Sequence, residues 1–326
     1  MKLFQYARPA GQKEAIAALA KAPGAKFIAG GTNLLDLMKR QVMAPDKLVD
    51  INQLPLRDIK QVNGGLQIGA LALNSVVAEH GLVVKNYPLL SQALNAGASA
   101  QLRNMATVGG NLLQRTRCPY FYDIAMPCNK RTPNSGCGAL EGYNRMHAIF
   151  GASDSCIAVN PSDMNVALTA LDATVMVSSS KGDRKIPIGD FHRLPGDHPE
   201  LDTNLAPNEL ITGVTLPASP FTKKAHYLKV RDRASYAFAL VSVAAALEMD
   251  GTTIRQARLA MGGVAHKPWR LTAAEKSLQG KQASPAAFQQ AAEVAMQGAK
   301  AYEHNAFKLK LAPNTIVQAL QMASEK

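Results

Sequence analysis

No apolar run in these 326 residues approaches the ~20 that a membrane-spanning helix needs. The opening residues, MKLFQYARPA, lack the basic start and long apolar stretch of a secretory leader. The sequence therefore predicts no export signal of its own. Basic residues outnumber acidic ones, 36 to 24, for a net charge of +12, yet no block of about five or six like charges occurs. The densest groups, Lys130-Arg131 and Arg231-Asp232-Arg233, are short or interrupted. Without a helix-turn-helix, zinc-finger or aromatic–basic pattern, such charge gives only unspecific attraction and does not argue for nucleic acid. A basic face toward an acidic partner subunit or an anionic cofactor accounts for it equally well. The spaced glycines of the dinucleotide fingerprint and the Lys-Ser/Thr ending of a phosphate loop are both missing. So are the closely spaced cysteine pairs of zinc ribbons and fingers.

Hydrophobic residues at 47% and charged residues at 18% are those of a folded protein. The length suggests two or three packed domains. The chain starts as alternating helix and strand: an Ala-rich helix over 13–22, strands over 26–29 and 47–51, and a helix over 34–40 between them. This is a small βαβ-like unit. A strand over 66–71 and helices near 74–80 and 88–96 follow. Asp163 opens an apolar helix to Leu171, and strands are predicted over 174–178, 185–188 and 210–216. After the proline pair Pro217/Pro220, three strands (225–230, 238–249, 253–261) read as antiparallel. Helices near 285–299 and 312–323 close the chain, the first with Ser284 as N-cap and Pro285 at its first position. No solenoid repeat is present.

Two glycine turns carry the first chemical signal: Ala29-Gly30-Gly31-Thr32-Asn33-Leu34 and Ala106-Thr107-Val108-Gly109-Gly110-Asn111. Paired glycines between strand and helix let backbone N–H groups approach phosphate oxygens unobstructed by a Cβ. Tight structural turns look the same in sequence, so each turn is read both ways.

The second signal is cysteine. Cys118, Cys128, Cys137 and Cys156 all lie in one irregular stretch, about 117–159, and nowhere else. A structureless stretch of that length is uncommon in a compact domain unless functional or stapled. The intervals of nine, eight and eighteen residues leave an iron–sulfur cluster, two disulfides, zinc or unpaired thiols open.

The two turns, with Arg103-Asn104-Met105 before the second, Pro161-Ser162-Asp163-Met164, Glu209-Leu210-Ile211 and Leu259-Ala260-Met261-Gly262-Gly263-Val264-Ala265, resemble the FAD-binding subunit of the xanthine dehydrogenase (molybdenum hydroxylase) family along nearly the whole chain. The resemblance implies an α+β protein: a two-subdomain FAD-binding (PCMH-type) fold followed by a C-terminal α+β domain with an antiparallel sheet. The boundaries expected are 1–60, 61–220 with an insertion at about 112–160, and 221–326. It implies that Lys26, Phe27, Ile28, Ala29, Gly30, Gly31, Thr32, Asn33 and Leu34 wrap the pyrophosphate of FAD, with Thr107, Gly110 and Asn111 holding it from the other side. Asp163 would bond ribityl or adenosine hydroxyls, and Ile211 and Lys229 would lie near the flavin end. Read from residue type alone, Asp163 is a helix N-cap and Lys229 a solvated lysine. No histidine or cysteine suggests covalent flavin.

Two branches of that family carry a four-cysteine insertion around one [4Fe–4S] cluster: the 4-hydroxybenzoyl-CoA reductase medium subunit and the FAD subunit of bacterial three-subunit periplasmic aldehyde oxidoreductase. Arg115-Thr116-Arg117-Cys118-Pro119-Tyr120-Phe121-Tyr122-Asp123, Pro127-Cys128-Asn129-Lys130-Arg131 and Arg231-Asp232-Arg233-Ala234-Ser235-Tyr236-Ala237-Phe238-Ala239 look more like the aldehyde enzyme. By resemblance the four cysteines ligate the cluster. A large partner subunit oxidises the aldehyde to an acid at its molybdenum cofactor. A small partner with two [2Fe–2S] centres passes the electrons here, and FAD releases them to an external, non-NAD acceptor. No catalytic acid or base is expected in this chain. Tyr120, Tyr122 and Trp269 read as packing residues before electron-path residues. Export to the periplasm with a signal-bearing partner is implied, with the cytoplasm as the alternative. A stand-alone FAD oxidase with disulfides is the competing reading.

Overall fold

Three sheets follow one another along the chain in this computed structural model, which describes residues 1–325. In the first, β1 (Gln5–Ala7), β2 (Ala25–Ile28) and β3 (Lys47–Asp50) run parallel in the order β1-β3-β2. The helix Leu34–Lys39 makes the β2-to-β3 crossover, as the βαβ pattern predicts. β1 escapes sequence reading because its three residues carry no clear alternation.

The second sheet is antiparallel, in the order β4-β5-β8-β6-β7, from β4 (Ile59–Val62), β5 (Gly65–Gly69), β6 (Thr174–Ser179), β7 (Gly182–Pro187) and β8 (Leu210–Leu216). Its apolar face buries Leu66, Ile68, Val175, Val177 and Val214 against the helices Pro88–Ala96 and Asp163–Ala170. The third sheet, order β12-β11-β10-β9, comprises β9 (Ala225–Val230), β10 (Val241–Asp250), β11 (Thr253–Gly262) and β12 (Trp269–Arg270). β10 is buried along most of its length, and its period of two explains why. Val241, Val243, Ala245 and Leu247 face the core beneath the helices Pro285–Ala295 and Lys308–Ser324. Ala244 and Ala246 face the core shared with the second sheet. The α+β class and the antiparallel C-terminal sheet are those the resemblance implies.

Ser284 caps its helix as predicted, accepting from the Ala287 amide at 3.3 Å. The final helix differs from expectation: it starts at Lys308 and carries Pro313 inside. Proline forfeits one helical hydrogen bond there. The extra turn buries the whole Lys308 side chain, which sequence polarity argues against. The cysteine stretch is irregular apart from the short helix Pro119–Tyr122 and isolated bridges at Cys128↔Cys137 and Ser153↔Cys156. It is stapled to the third sheet: Ile149 and Phe150 sit in that sheet's core, and both amides donate to Val264 O, at 2.9 and 3.0 Å.

Candidate functional site

The two glycine turns meet. Gly30 lies so close to the second turn that an added Cβ would stand 1.8 Å from Met105 O. Gly31 adopts φ +71, open to glycine without strain. Together they border a large open cavity, whose lining includes every residue from Lys26 to Leu34, then Thr107, Gly110 and Ile211. The turns are not equivalent. Among the described residues no protein acceptor lies against the amides of Gly30, Gly31, Thr32 or Asn33. In the second turn, Val108, Gly109 and Asn111 donate to Ala72 O, Ala70 O and Thr107 O, and Gly110 donates to Thr107 Oγ1 at 3.2 Å. The first turn therefore has donors to give an anion. The second contributes close approach and the Thr107 hydroxyl. A pyrophosphate fits this cradle.

Asn111 and Asp163 stand to one side. Ser162 Oγ donates to Asn111 Oδ1 at 2.7 Å, and the same hydroxyl accepts from the Asn165 amide at 3.1 Å, so Ser162 is the N-cap and Asp163 the first helical residue. Asp163 Oδ1 accepts from the Tyr227 hydroxyl at 2.7 Å, and Oδ2 pairs with Lys229 Nζ at 2.8 Å. With 4% of its side chain exposed, Lys229 is no solvated lysine, the reading its residue type alone suggests. Burial and the Asp163 charge raise the Tyr227 hydroxyl well above its ordinary value. Asp163 borders a smaller neighbouring cavity, with Arg117, Cys118, His147 and Phe238 in its walls. Ile211 lines the large cavity, and Lys229 pairs with Asp163 at the edge of the smaller one.

All four cysteines line a third, small cavity. Each is a free thiol. Burial pushes the Cys118 thiol up to about 12 and the Cys156 thiol up to about 11. A single zinc ion with bonds of about 2.3 Å would draw its sulfurs within ~4 Å of one another. Among the described residues no three His, Cys, Asp or Glu side chains converge that way. The four cysteines thus share one cavity wall, and their side chains are not drawn together into a mononuclear site. The three cavities share a wall at Thr116, which borders each of them. Thr116 is buried, and its hydroxyl accepts from the Cys118 amide at 3.3 Å.

The aromatics pack. Trp269 stacks on Phe150 with centroids 5.1 Å apart, Tyr122 donates to Asp36 at 3.0 Å, and the Tyr120 hydroxyl accepts from the Tyr143 amide at 2.6 Å.

One charged cluster escaped sequence reading. Asp202 pairs with Lys130 at 2.5 Å and Arg115 at 2.7 Å, joining the cysteine stretch to the far wall of the large cavity. Burial raises its carboxyl, but the charges of Lys130 and Arg115 outweigh that and hold it well below the usual range. Burial pushes His192 and His266 nearby down to about 4, so both are neutral. These residues come from distant segments with no shared motif, and the position of Lys130 two residues after Cys128 gives no sign of its partners.

Comparison with known proteins adds identity to this geometry. Residues 2–219 match the family described as FAD binding domain in molybdopterin dehydrogenase, and residues 226–323 match the CO dehydrogenase flavoprotein C-terminal domain. The chain is 52% identical to the aldehyde oxidoreductase FAD-binding subunit PaoB of Escherichia coli K12, over 99% of each chain. It is 30% identical to the glyceraldehyde dehydrogenase medium chain of Sulfolobus acidocaldarius, over 85% of this chain and 82% of that one. Among solved structures, quinoline 2-oxidoreductase of Pseudomonas putida 86 aligns with a TM-score of 0.76 at 27% identity, covering 100% of this chain and 99% of that one. Carbon monoxide dehydrogenase of Hydrogenophaga pseudoflava aligns with a TM-score of 0.78 at 26% identity, covering 99% and 97%.

Proposed function

The chain belongs to the FAD-binding subunits of the molybdopterin dehydrogenase family of oxidoreductases, and on that premise we propose that it is the electron-relaying subunit of a three-subunit, molybdenum-dependent aldehyde dehydrogenase, holding non-covalent FAD and one [4Fe–4S] cluster. The aldehyde reading draws on its 52% identity to a subunit named for aldehyde oxidoreduction. The observation that carries the relay reading is the shared wall: Thr116 borders both the glycine-lined cavity and the four-cysteine cavity.

FAD exchanges electrons in ones or twos, and the cluster in ones. The chain's own residues bind and orient. The amides of Gly30, Gly31, Thr32 and Asn33 would take pyrophosphate oxygens, in the cradle that Lys26 to Leu34 forms. The Thr107 hydroxyl, the bare Cα of Gly110 and Asn111 would close it from the other side. Asp163, fixed by Tyr227 and Lys229, retains lone pairs for a ligand hydroxyl. Ile211 would supply apolar wall. Cys118, Cys128, Cys137 and Cys156 would hold the cluster, with Thr116 anchoring the Cys118 backbone. The partners proposed are a large molybdenum-cofactor subunit and a small subunit with two [2Fe–2S] centres. The acceptor is a quinone or a protein rather than NAD. The proposed location is the periplasm, reached with a signal-bearing partner.

The test is anaerobic purification of the chain, followed by flavin, iron and acid-labile sulfide assays and low-temperature EPR after dithionite reduction. One flavin with about four iron and four sulfide per chain is expected. Flavin without iron, and all four thiols oxidised, would refute the cluster and leave a simple flavoprotein.

A further inference from the structure

We propose that His147 is a positioning residue for the cluster: its Nε2–H donates to the Cys118 sulfur and raises the cluster's reduction potential. The inference rests on the cluster reading above. His147 is 1% exposed, and Nε2 lies 3.1 Å from Cys118 Sγ. The remaining ring nitrogen, Nδ1, is buried and meets no hydrogen-bond partner among the described residues. Nδ1 is therefore unsatisfied whichever nitrogen carries the proton, and the sulfur decides the tautomer: against an acceptor-only thiolate the proton belongs on Nε2. In the metal-free chain a thiol can donate as well as accept. A cluster-bound thiolate only accepts, so ligation turns this contact into a charge-assisted N–H···S bond.

The backbone of His147 is held from the C-terminal helix and the turn before it. Its carbonyl accepts from Asn305 Nδ2 at 3.2 Å and Lys308 Nζ at 2.9 Å, and its amide donates to Asn144 O at 3.0 Å. Asn305 and Lys308 are both wholly buried. Lys308 Nζ also donates to Gly263 O at 2.7 Å, so one ammonium ties the histidine to the wall of the neighbouring cavity. This grip accounts for a fully buried lysine in an otherwise apolar core. Backbone amides also face the sulfurs: those of Phe121 and Tyr120 at Cys118, and that of Ala158, 3.5 Å from Cys156 Sγ.

Reduction adds negative charge that spreads onto the ligating sulfurs. A donor against one sulfur stabilises the reduced state more than the oxidised state, and so raises the potential.

The test is a redox titration of the purified full chain, followed by EPR, for wild type, His147→Leu and His147→Gln. At a potential where the wild-type cluster is half reduced, His147→Leu is expected to raise the oxidised-to-reduced ratio about tenfold, equal to 59 mV for one electron. His147→Gln keeps an N–H donor and should recover most of the difference. His147→Leu with four iron and an unmoved midpoint overturns the proposal. Wild type without iron refutes the cluster reading itself, which separates the two failures. Should His147→Leu lose its iron, 15N-histidine labelling of the wild type decides. Pulsed EPR of the reduced cluster must then detect a coupled imidazole nitrogen, and its absence overturns the assignment.

Discussion

Replacing Gly30 with alanine tests whether the two glycine turns form one device. The new Cβ would stand 1.8 Å from Met105 O, whereas real Cβ atoms keep at least 3.0 Å. The carbonyl must retreat by about 1.2 Å, the difference between those two distances. It is not free to do so. Met105 N and Ala106 N donate to Leu102 O at 3.0 and 2.8 Å, and Ala106 O accepts from Asn74 N at 2.9 Å. Overpacking of this kind costs about 1–3 kcal/mol, and each backbone hydrogen bond lost adds about 1. We expect a loss of about 3 kcal/mol, seen as a lower urea midpoint at unchanged slope. If flavin requires the turns in contact, the same energy weakens its binding by about 100-fold. The assay is flavin retained per chain after gel filtration, with urea unfolding in parallel. Gly110→Ala is the control. Its Cβ would meet only Thr107 Oγ1, at 3.1 Å, so folding should change by less than about 1 kcal/mol while flavin binding falls at least about tenfold. Gly30→Ala with full flavin and an unchanged urea midpoint would refute the reasoning.

Other changes probe the remaining elements. His192 and His266 stay neutral in the fold down to about pH 4, but charge near 6.5 when unfolded. The unfolded chain therefore takes up protons first, and stability should fall as pH drops from 6.5 to 4, by up to about 3 kcal/mol per histidine. His192→Gln should flatten that slope in urea titrations at pH 7 and pH 5. Asp202→Asn leaves Lys130, whose side chain is 1% exposed, without its counter-charge; about 3 kcal/mol should be lost at pH 7. Because the Asp202 carboxyl is depressed, its contribution is present above about pH 4 and disappears as pH falls further, so mutant and wild type should converge there. Cys137→Ser should halve iron content or worse while flavin stays near one per chain; a variant with four iron and a wild-type EPR signal would remove Cys137 from the ligand set.

Much of the fold was legible because its strongest periodicities are local. β10 and β11 are long, apolar and separated by Gly251, and Ser284-Pro285 announces a helix start. Less legible were elements whose reason for existing lies elsewhere in space. β1 forms because β3 offers it an edge, and the last helix begins at Lys308 because two distant carbonyls receive its ammonium. The glycine turns could be read as candidates, but not the division of labour between them. That depends on Ala70 and Ala72 offering carbonyls to the second turn and no described residue offering one to the first. Lys229 was misjudged from residue type for the same reason, since its partner lies 66 positions away.

The cysteine stretch raises the question of what orders about forty residues that form almost no regular structure. Such a backbone leaves carbonyls that helices and sheets would otherwise satisfy. Here long side chains supply the donors. Arg131 donates to Tyr120 O and Phe121 O, both at 2.9 Å, and Asn129 to Ser155 O at 3.0 Å. Lys130 reaches Pro199 O at 2.8 Å, and Asn305 reaches His147 O and Ala148 O. None of these bonds uses a cysteine sulfur, so this hold on the stretch does not run through the proposed ligands, unlike zinc fingers, whose folding free energy is the metal's binding free energy. A chain prepared under chelation should then keep its near-UV circular dichroism and lose little stability, and should take up iron and sulfide without a folding lag. Collapse of 117–159 on iron removal, seen as new protease cleavage within it, would contradict this and make the cluster the staple.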